Sequence, residues 1–388
     1  MSRPVIESIR AIPVTHSDLH GDQLNYLFVR ISASGGLVGW GEVSDSYGCT
    51  HPTVAAAMVE DVLAPILVNR ALTSVRELAD LMRGVTRRRL SVAGVTSQAI
   101  SGIEIALWDL AGKAEGVSVG DLIGRHRDRI PVYASWTFLD DGPVPWHLEG
   151  IAPCLDRGVT TVKVRLSLDR VENRDKIAEI TSTLPHLTLF ADAGESFSAT
   201  AALAVARDLS QVGLRMLEEP VPQEQRAGIV RLVERSPIPI AYGEHVYSRQ
   251  GFVDVLTAGM CDIIQPDPAI GGGIGECLDA CRVAESLGIP VIPHAAGSTP
   301  SLAATLHLAA AAPNAAMFEY SFTLDRLWRE VTRSVGFAPD ALVDGALPVP
   351  DGPGLGIDID ESVLEANPFR PISPTRQYPR TTLGHAWA

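Results

Sequence analysis

An α/β barrel preceded by a smaller α+β unit is the fold this sequence predicts, and three observations predict it. From about residue 130, short β-type runs recur mostly 23 to 29 residues apart. Helical patterns such as "SATAALAVARDLSQVG" and "IGECLDACRVAESLG" fill the gaps between them. Most of the runs end in a charged or ionisable residue. A strand–helix repeat of this period feeds a parallel sheet, and eight units close into a barrel.

The elements follow in order. Residues 4–14 and 25–33 read as strands, and "GGLVGWGEV" turns at Gly35-Gly36 into a third. In Ser97–Lys113, Ile100, Ile103, Leu107 and Leu110 share one helix face, and Gly116 and Gly120 break the pattern. The eight runs are then "PVYASW" (131–136), "TVKVRL" (161–166), "LTLFAD" (187–192), "LRMLEE" (214–219), "IPIAYGE" (238–244), "CDIIQPD" (261–267), "IPVIPH" (289–294) and "AAMFEY" (315–320). The Pro- and Gly-rich end is expected to fold back on the first unit. The expected division is 1–128 for that unit, with 350–388 packing on it, and 129–349 for the barrel.

Composition excludes several classes of function. The 388-residue chain is 46% hydrophobic and 20% charged, with a formal net charge of −14. A nucleic-acid binder would need a basic footprint, and Arg87-Arg88-Arg89 is the densest basic run. No stretch of 18 apolar residues suggests a membrane span. "MSRPVIESIRAIPV" lacks the apolar core of a secretory signal, so a cytoplasmic location is expected. The five cysteines (Cys49, Cys154, Cys261, Cys277 and Cys281) form no C-x-x-C pair, which argues against a zinc knuckle or a disulfide framework.

The strand-end residues carry the chemistry. Asp192, Glu218 and Glu244 are spaced by 26 and 26 residues, one strand–helix unit each. They should therefore lie on neighbouring strands at one level, at the C-terminal end where such barrels place their sites. Three unscreened carboxylates this close repel one another. A hard divalent cation removes that repulsion, and ligands that are all oxygen select magnesium or manganese over zinc. Asp267 and His294, 27 residues apart, end the sixth and seventh runs. A carboxylate bonded to one ring nitrogen fixes the tautomer and raises the basicity of the other, which makes a positioned general base. Glu319 lies at the end of the eighth. In "TVKVRL", alternation puts Lys163 and Arg165 on one face, roughly 6.6 Å apart. That cationic face suits an anionic substrate at the barrel mouth. His186 and His307 read as structural.

Taken together, these motifs resemble the enolase superfamily, in its mandelate-racemase-like subgroup, over nearly the whole chain. "VGWGEV" and "AISGIEIALWDLAGKAEG" resemble the family's capping domain. "ADAGES", "LEEP", "YGEH", "QPDPAIGGGIGE", "IPH" and "FEY" resemble its barrel strand ends in order, and "DGPGLGIDID" its returning tail. The resemblance implies a modified TIM barrel, (β/α)7β, with an α+β capping domain. It also implies one Mg2+ per subunit, Mn2+ being possible, and abstraction of a proton α to a carboxylate. Asp192, Glu218 and Glu244 match the metal ligands, with Glu219 an acid behind them. Asp267 and His294 match the acid–base dyad, Glu319 an acid that holds the substrate carboxylate, and Lys163 the first lysine of the K-x-K motif. Relatives often form dimers or octamers, so a homo-oligomer is expected.

Two departures shape the expected reaction. Arg165 stands where the second lysine of that motif would be a base, and arginine stays protonated in proteins. "DAGE" replaces Asp-x-Asn, leaving Glu195 as the residue that could compensate for the lost amide. With His294 as the only base, β-elimination fits: dehydration of an acid sugar to a 2-keto-3-deoxy acid, making the chain a hydro-lyase. An epimerase, racemase or cycloisomerase, with His245 as a second base, is the alternative. A non-catalytic barrel that binds ligand is more remote. The expected partner is a small carboxylate, with neither nucleic acid nor membrane. His20, Asp22 and Gln23 in one loop, and Asp45, Tyr47 and His51 in another, are candidate polar contacts to it, His20 and Tyr47 foremost.

Overall fold

The structure, a computed structural model, describes residues 3–17, 23–43, 51–324, 329–332 and 337–371. His20, Asp22, Asp45, Tyr47 and Cys49 lie outside them.

The chain opens with an antiparallel meander of β1 (Ile6–Ser17), β2 (Gln23–Ala33) and β3 (Leu37–Val43). The β2–β3 turn runs through Gly35 and Gly36, both at positive φ, as the glycine pair suggests. A helical run follows, α1 (Pro52–Ala57), a π-helical stretch (Met58–Leu63) and α2 (Ala64–Leu67), then α3 (Val75–Thr86). These elements pack with α4 (Val95–Glu115) around Leu27, Val29, Ile31, Leu63, Met82, Ile103 and Leu107. Gly116, in the left-handed region, ends α4, whereas Gly120 lies inside the next helix, α5 (Val119–Ile123), and breaks nothing. α4 is not the one-faced helix its periodicity suggests. Ser97, Gln98, Ser101, Glu104 and Asp109 are as buried as its apolar face, because barrel loops cover the other side.

The barrel strands are β4 (Arg129–Phe138), β5 (Thr161–Arg165), β6 (Thr188–Asp192), β7 (Leu214–Glu218), β8 (Ile240–Tyr242), β9 (Ile263–Ile264) and β10 (Phe318–Tyr320). They pair in parallel in that order, and β10 pairs with β4. Single parallel bridges, Ile264–Val291 and Val291–Ala315, carry the pairing from β9 towards β10. The helices between are α6 (Val144–Leu155), α7 (Arg170–Thr183), α8 (Ala199–Gln211), α9 (Arg226–Val233), α10 (Ser248–Thr257), α11 (Ile274–Ser286) and α12 (Thr299–Ala311). This is the α/β, (β/α)7β arrangement.

Prolines explain where the later strands are shorter than expected. In "IPVIPH", Pro290 and Pro293 have no N–H to donate, so the ladder bridges are confined to Val291, while the Pro290 and Pro293 carbonyls and the Ile292 and His294 amides still bond neighbouring segments. Pro266 and Pro268 likewise stop β9 at Ile264. Tyr133, Phe190, Met216, Ala241 and Ile292 fill the barrel interior, forming a floor beneath the strand ends. A short β11 (Ala346–Pro348) pairs antiparallel with β4, and the chain beyond it returns to the first unit, with bridges Ser118–Gly354 and Val14–Pro368. Among the described residues, no helix is long and apolar enough to cross a membrane.

Candidate active site

Strand register assembles the site. Arg165 on β5 pairs with Asp192 on β6, and Asp192 pairs with Glu218 on β7. Glu244 follows the end of β8 by two residues, across Gly243. Gly243 has φ +145, and a Cβ there would stand 2.7 Å from the backbone nitrogen of Gln265. Only glycine lets the two loops pass this closely. Asp192 and Glu218 are buried, and Glu244 is more open.

Lys163 is fully buried on β5, between Tyr133 and the acids. Its Nζ lies over the Tyr133 ring at 5.4 Å from the centroid. It pairs with Glu218, and it lies 2.9 Å from Glu319 Oε1 and 3.9 Å from Asp192 Oδ2. Arg165 lies 3.1 Å from Asp192 Oδ2. Both cations of "TVKVRL" therefore meet the strand-end acids. Burial would lower the pKa of Lys163, but Glu218, Glu319 and Asp192 raise it above the usual lysine value. Gln265 Nε2 donates to the second oxygen of Glu218 at 2.7 Å.

Asp267 and His294 meet as a dyad. His294 Nδ1 is 2.7 Å from Asp267 Oδ2, and both side chains are buried. The other oxygen, Oδ1, accepts from the Ala269 amide at 2.6 Å, which fixes the carboxylate plane. The carboxylate assigns the ring proton to Nδ1, so Nε2 is the nitrogen presented to the site. It lies 3.5 Å from Glu244 Oε2 and 3.4 Å from Glu319 Oε2. Burial would lower the imidazole pKa, yet Glu244, Glu319 and Asp267 raise it well above the usual value. The same attraction, against burial, holds Glu244 down at about 2.

The three acids 26 residues apart face one another across Lys163 and Arg165 and are not drawn to common ligand distance. Among the described residues, the trio whose ligand atoms lie within 4.8 Å of one another is Glu195, Glu219 and His245. His245 Nδ1 bonds Glu219 Oε2 at 2.9 Å and its Nε2 lies 3.9 Å from Glu244. Glu195 accepts from the Gln223 backbone amide and belongs to that trio, and the support an asparagine amide would give Asp192 is a separate role. That role passes to the backbone: the Gly194 amide donates to Asp192 Oδ1 at 2.8 Å.

A hard cation fits this donor set. Burial, then repulsion from Asp192, Glu319 and Glu244, pushes the Glu218 carboxyl well above its usual range despite Lys163. The acids here outnumber the cations. A divalent ion bound by Asp192, Glu218 and Glu244 would offset that excess through oxygen ligands alone.

Sequence reading missed Gln265 and Tyr133. Gln265 could have been found as the one amide in the apolar run before Asp267. Tyr133 carries no signal beyond alternation. Of the remaining loop candidates, Gln23 opens β2 beside a polar hollow lined by Thr15, His16, Arg370 and others, and His51 accepts from or donates to Thr53 Oγ1 at the start of α1. Neither is brought to the dyad by any contact described.

Comparison with known proteins agrees with this geometry. Residues 4–124 match the mandelate racemase / muconate lactonizing enzyme N-terminal domain, and residues 150–363 match the enolase C-terminal domain-like family. The chain is 29% identical over 360 residues to a D-galactarolactone cycloisomerase of Agrobacterium fabrum, covering 91% of this chain and 93% of that one. It is 33% identical over 354 residues to a D-galactonate dehydratase of Variovorax paradoxus, covering 87% and 89%. The crystal structure of the 3,6-anhydro-D-galactonate cycloisomerase from Zobellia galactanivorans superposes with a TM-score of 0.85 at 27% identity, covering 94% of this chain and 100% of that one.

Proposed function

We propose, from the premise that the chain belongs to the mandelate racemase / muconate lactonizing enzyme family, that it is a hydro-lyase that dehydrates an acid sugar to a 2-keto-3-deoxy acid. One observation carries the reading: the Asp267–His294 dyad is buried, and the position expected to hold a second base is Arg165, paired with Asp192. That arrangement has one general base and one permanent cation.

Asp192, Glu218 and Glu244 would hold Mg2+. When bound, Mg2+ would supply Lewis-acid stabilisation of the developing oxyanion and, by sharing Glu244, favour neutral His294. Neutral His294 Nε2 takes the proton α to the carboxylate. Lys163, preorganised and buried, stabilises the enediolate charge. Protonated His294 then gives its proton to the departing β-hydroxyl, so that water leaves and an enol remains. The enol tautomerises to the 2-keto acid. Asp267 holds the ring in the required tautomer, and Glu319, beside Lys163 and His294, would hold the substrate carboxylate by donating to it in its protonated form. Arg165 can donate to a hydroxyl or carboxylate but cannot take a proton.

The test is incubation with Mg2+ and a stereochemically complete panel of aldonic and aldaric acids in deuterated water. The expected result is a 2-keto acid that has lost one water and gained one carbon-bound solvent deuterium at C3. Absence of both α-proton exchange and keto product across the panel overturns the reading. The similarity to a D-galactarolactone cycloisomerase favours a second reading, in which the same base opens or isomerises a lactone. Its product would lose no water and differ from the substrate only by solvent deuterium, so mass spectrometry separates the two.

A further inference from the structure

The loops that carry the dyad are anchored from outside the barrel. α11 begins seven residues after Asp267, and α12 begins five residues after His294. Neither helix has a side-chain cap from its own N-cap residue, unlike α7 and α8, which are capped by Asp169 and Ser198. Four backbone N–H groups at a helix start need partners, and burial makes an unmet one costly.

The partners come from the first unit. Glu104, on α4, accepts from the Ile274 amide at 2.8 Å and the Gly275 amide at 2.9 Å. Trp108 Nε1 donates to the same carboxylate at 2.9 Å and orients it. A Cβ on Gly273 would stand 2.3 Å from Glu104 Oε2, so the glycine admits the carboxylate. Ser101 Oγ accepts from the Gly272 amide at 2.8 Å. Glu42, on β3, accepts from the Ser298 amide at 2.7 Å, the Ser298 hydroxyl at 2.6 Å and the Ser301 amide at 3.2 Å. Both carboxylates are buried, and each sits at the positive end of a helix, where negative charge is favoured.

We propose that Glu42 and Glu104 are positioning residues for the Asp267–His294 dyad. Each acts as the missing cap of the helix that follows one member, so the first unit fixes the distance and angle between the two. The inference rests on the reading of His294 as the base. It assigns the first unit a part in catalysis separate from covering the substrate. A dyad bond of 2.7 Å depends on two loops held independently, one by each acid.

The test uses the full-length chain with Glu42→Gln and Glu104→Gln. Glutamine keeps the volume but turns an amide group toward backbone donors. In histidine-labelled protein, the downfield proton resonance of His294 Nδ1–H is assigned by its loss in His294→Asn. It should shift, or exchange faster with solvent, in each variant, while the His147 Nε2–H resonance stays in place. With an active substrate, kcat should fall tenfold or more and KM stay within twofold. An unchanged His294 resonance in a folded variant, or a moved resonance with unchanged kcat, overturns the proposal. If a glutamine variant does not fold, Ser101→Ala or Ser298→Ala removes one bond of the same anchor, and a resonance unmoved there also overturns it. The resonance needs no substrate. If no acid sugar is turned over, the dehydration reading fails while this inference is still decided.

Discussion

Lowering the pH below 6.5 should loosen the seam between the barrel and the first unit through His307. This imidazole is buried on α12, accepts from the Gly120 amide at Nδ1 and bonds the Leu355 carbonyl at Nε2. Both nitrogens are therefore committed in the neutral ring, and a second ring proton would confront the Gly120 N–H. Burial, helped by Arg125, pushes the pKa from 6.5 down to about 4. The unfolded chain takes up the proton near 6.5 and the folded chain near 4. Stability is thus fully present above 6.5 and lost as pH falls through that window. At about 1.4 kcal/mol per pH unit, the loss is about 3 kcal/mol by pH 4, with about 2 kcal/mol gone by pH 5. The perturbation that isolates it is His307→Gln, which does not titrate. Urea unfolding of both proteins, followed by circular dichroism at pH 8, 6, 5 and 4, gives the difference in stability at each pH. That difference should shrink with acid by the amount stated. A difference constant to within about 0.5 kcal/mol from pH 8 to pH 4 would refute the assignment of a buried neutral ring.

Other perturbations separate the roles of the site residues. Glu42 and Glu104 should show the opposite pH sign: burial raises each carboxyl to about 7, so the stability associated with the protonated form is present below 4.5 and lost as pH rises through 7. Unfolding of each glutamine variant against the parent chain from pH 5 to 8 checks this. His294→Asn should lower turnover by about 10²–10⁴-fold, the range expected for a general base, with Mg2+ affinity by calorimetry unchanged. Gly243→Ala should destabilise the fold by about 1–3 kcal/mol and weaken Mg2+ binding, because the Gln265 backbone must move to admit the methyl group. Arg165→Lys should place an amine that can lose its proton near Asp192, seen as an epimer carrying solvent deuterium at the α-carbon; absence of that epimer would argue that residue 165 does not face the α-carbon.

What could be read from the sequence was what repeats. Asp192, Glu218 and Glu244 were visible because a strand–helix unit returns the chain to one level every 26 residues, and Asp267 and His294 continued that rhythm. Lys163 and Arg165 were visible because two cations at alternate positions are costly in a buried strand unless acids meet them. The repeat did not show how the chain departs from it. Proline reduced the seventh run to isolated bridges at Val291, although its hydrophobic pattern was intact. The glutamate after Asp-Ala-Gly joined Glu219 and His245, and the Gly194 amide took the Asp192 contact. Glu104 lies in the segment whose periodicity shows only its apolar face. Its burial depends on loops 170 and 171 residues further along, which local periodicity cannot encode. Glu42 meets its partners across 256 and 259 residues.

These hidden residues share a physical character. Each is a buried polar group whose partners come from a distant segment, and none is part of the repeat. A barrel strand end supplies the direction of a side chain. It does not supply the fine placement that proton transfer requires, since hydrogen-bonding distances vary by only a few tenths of an ångström. In this molecule that placement comes from Gln265 on Glu218, the Ala269 amide on Asp267, and the two acids of the first unit on the helices beyond the dyad. On the proposed mechanism, reaction type follows from the repeating residues and Arg165, whereas rate should follow from the non-repeating ones. A change at Glu42 or Glu104 should accordingly slow whichever reaction the enzyme performs without altering which product forms.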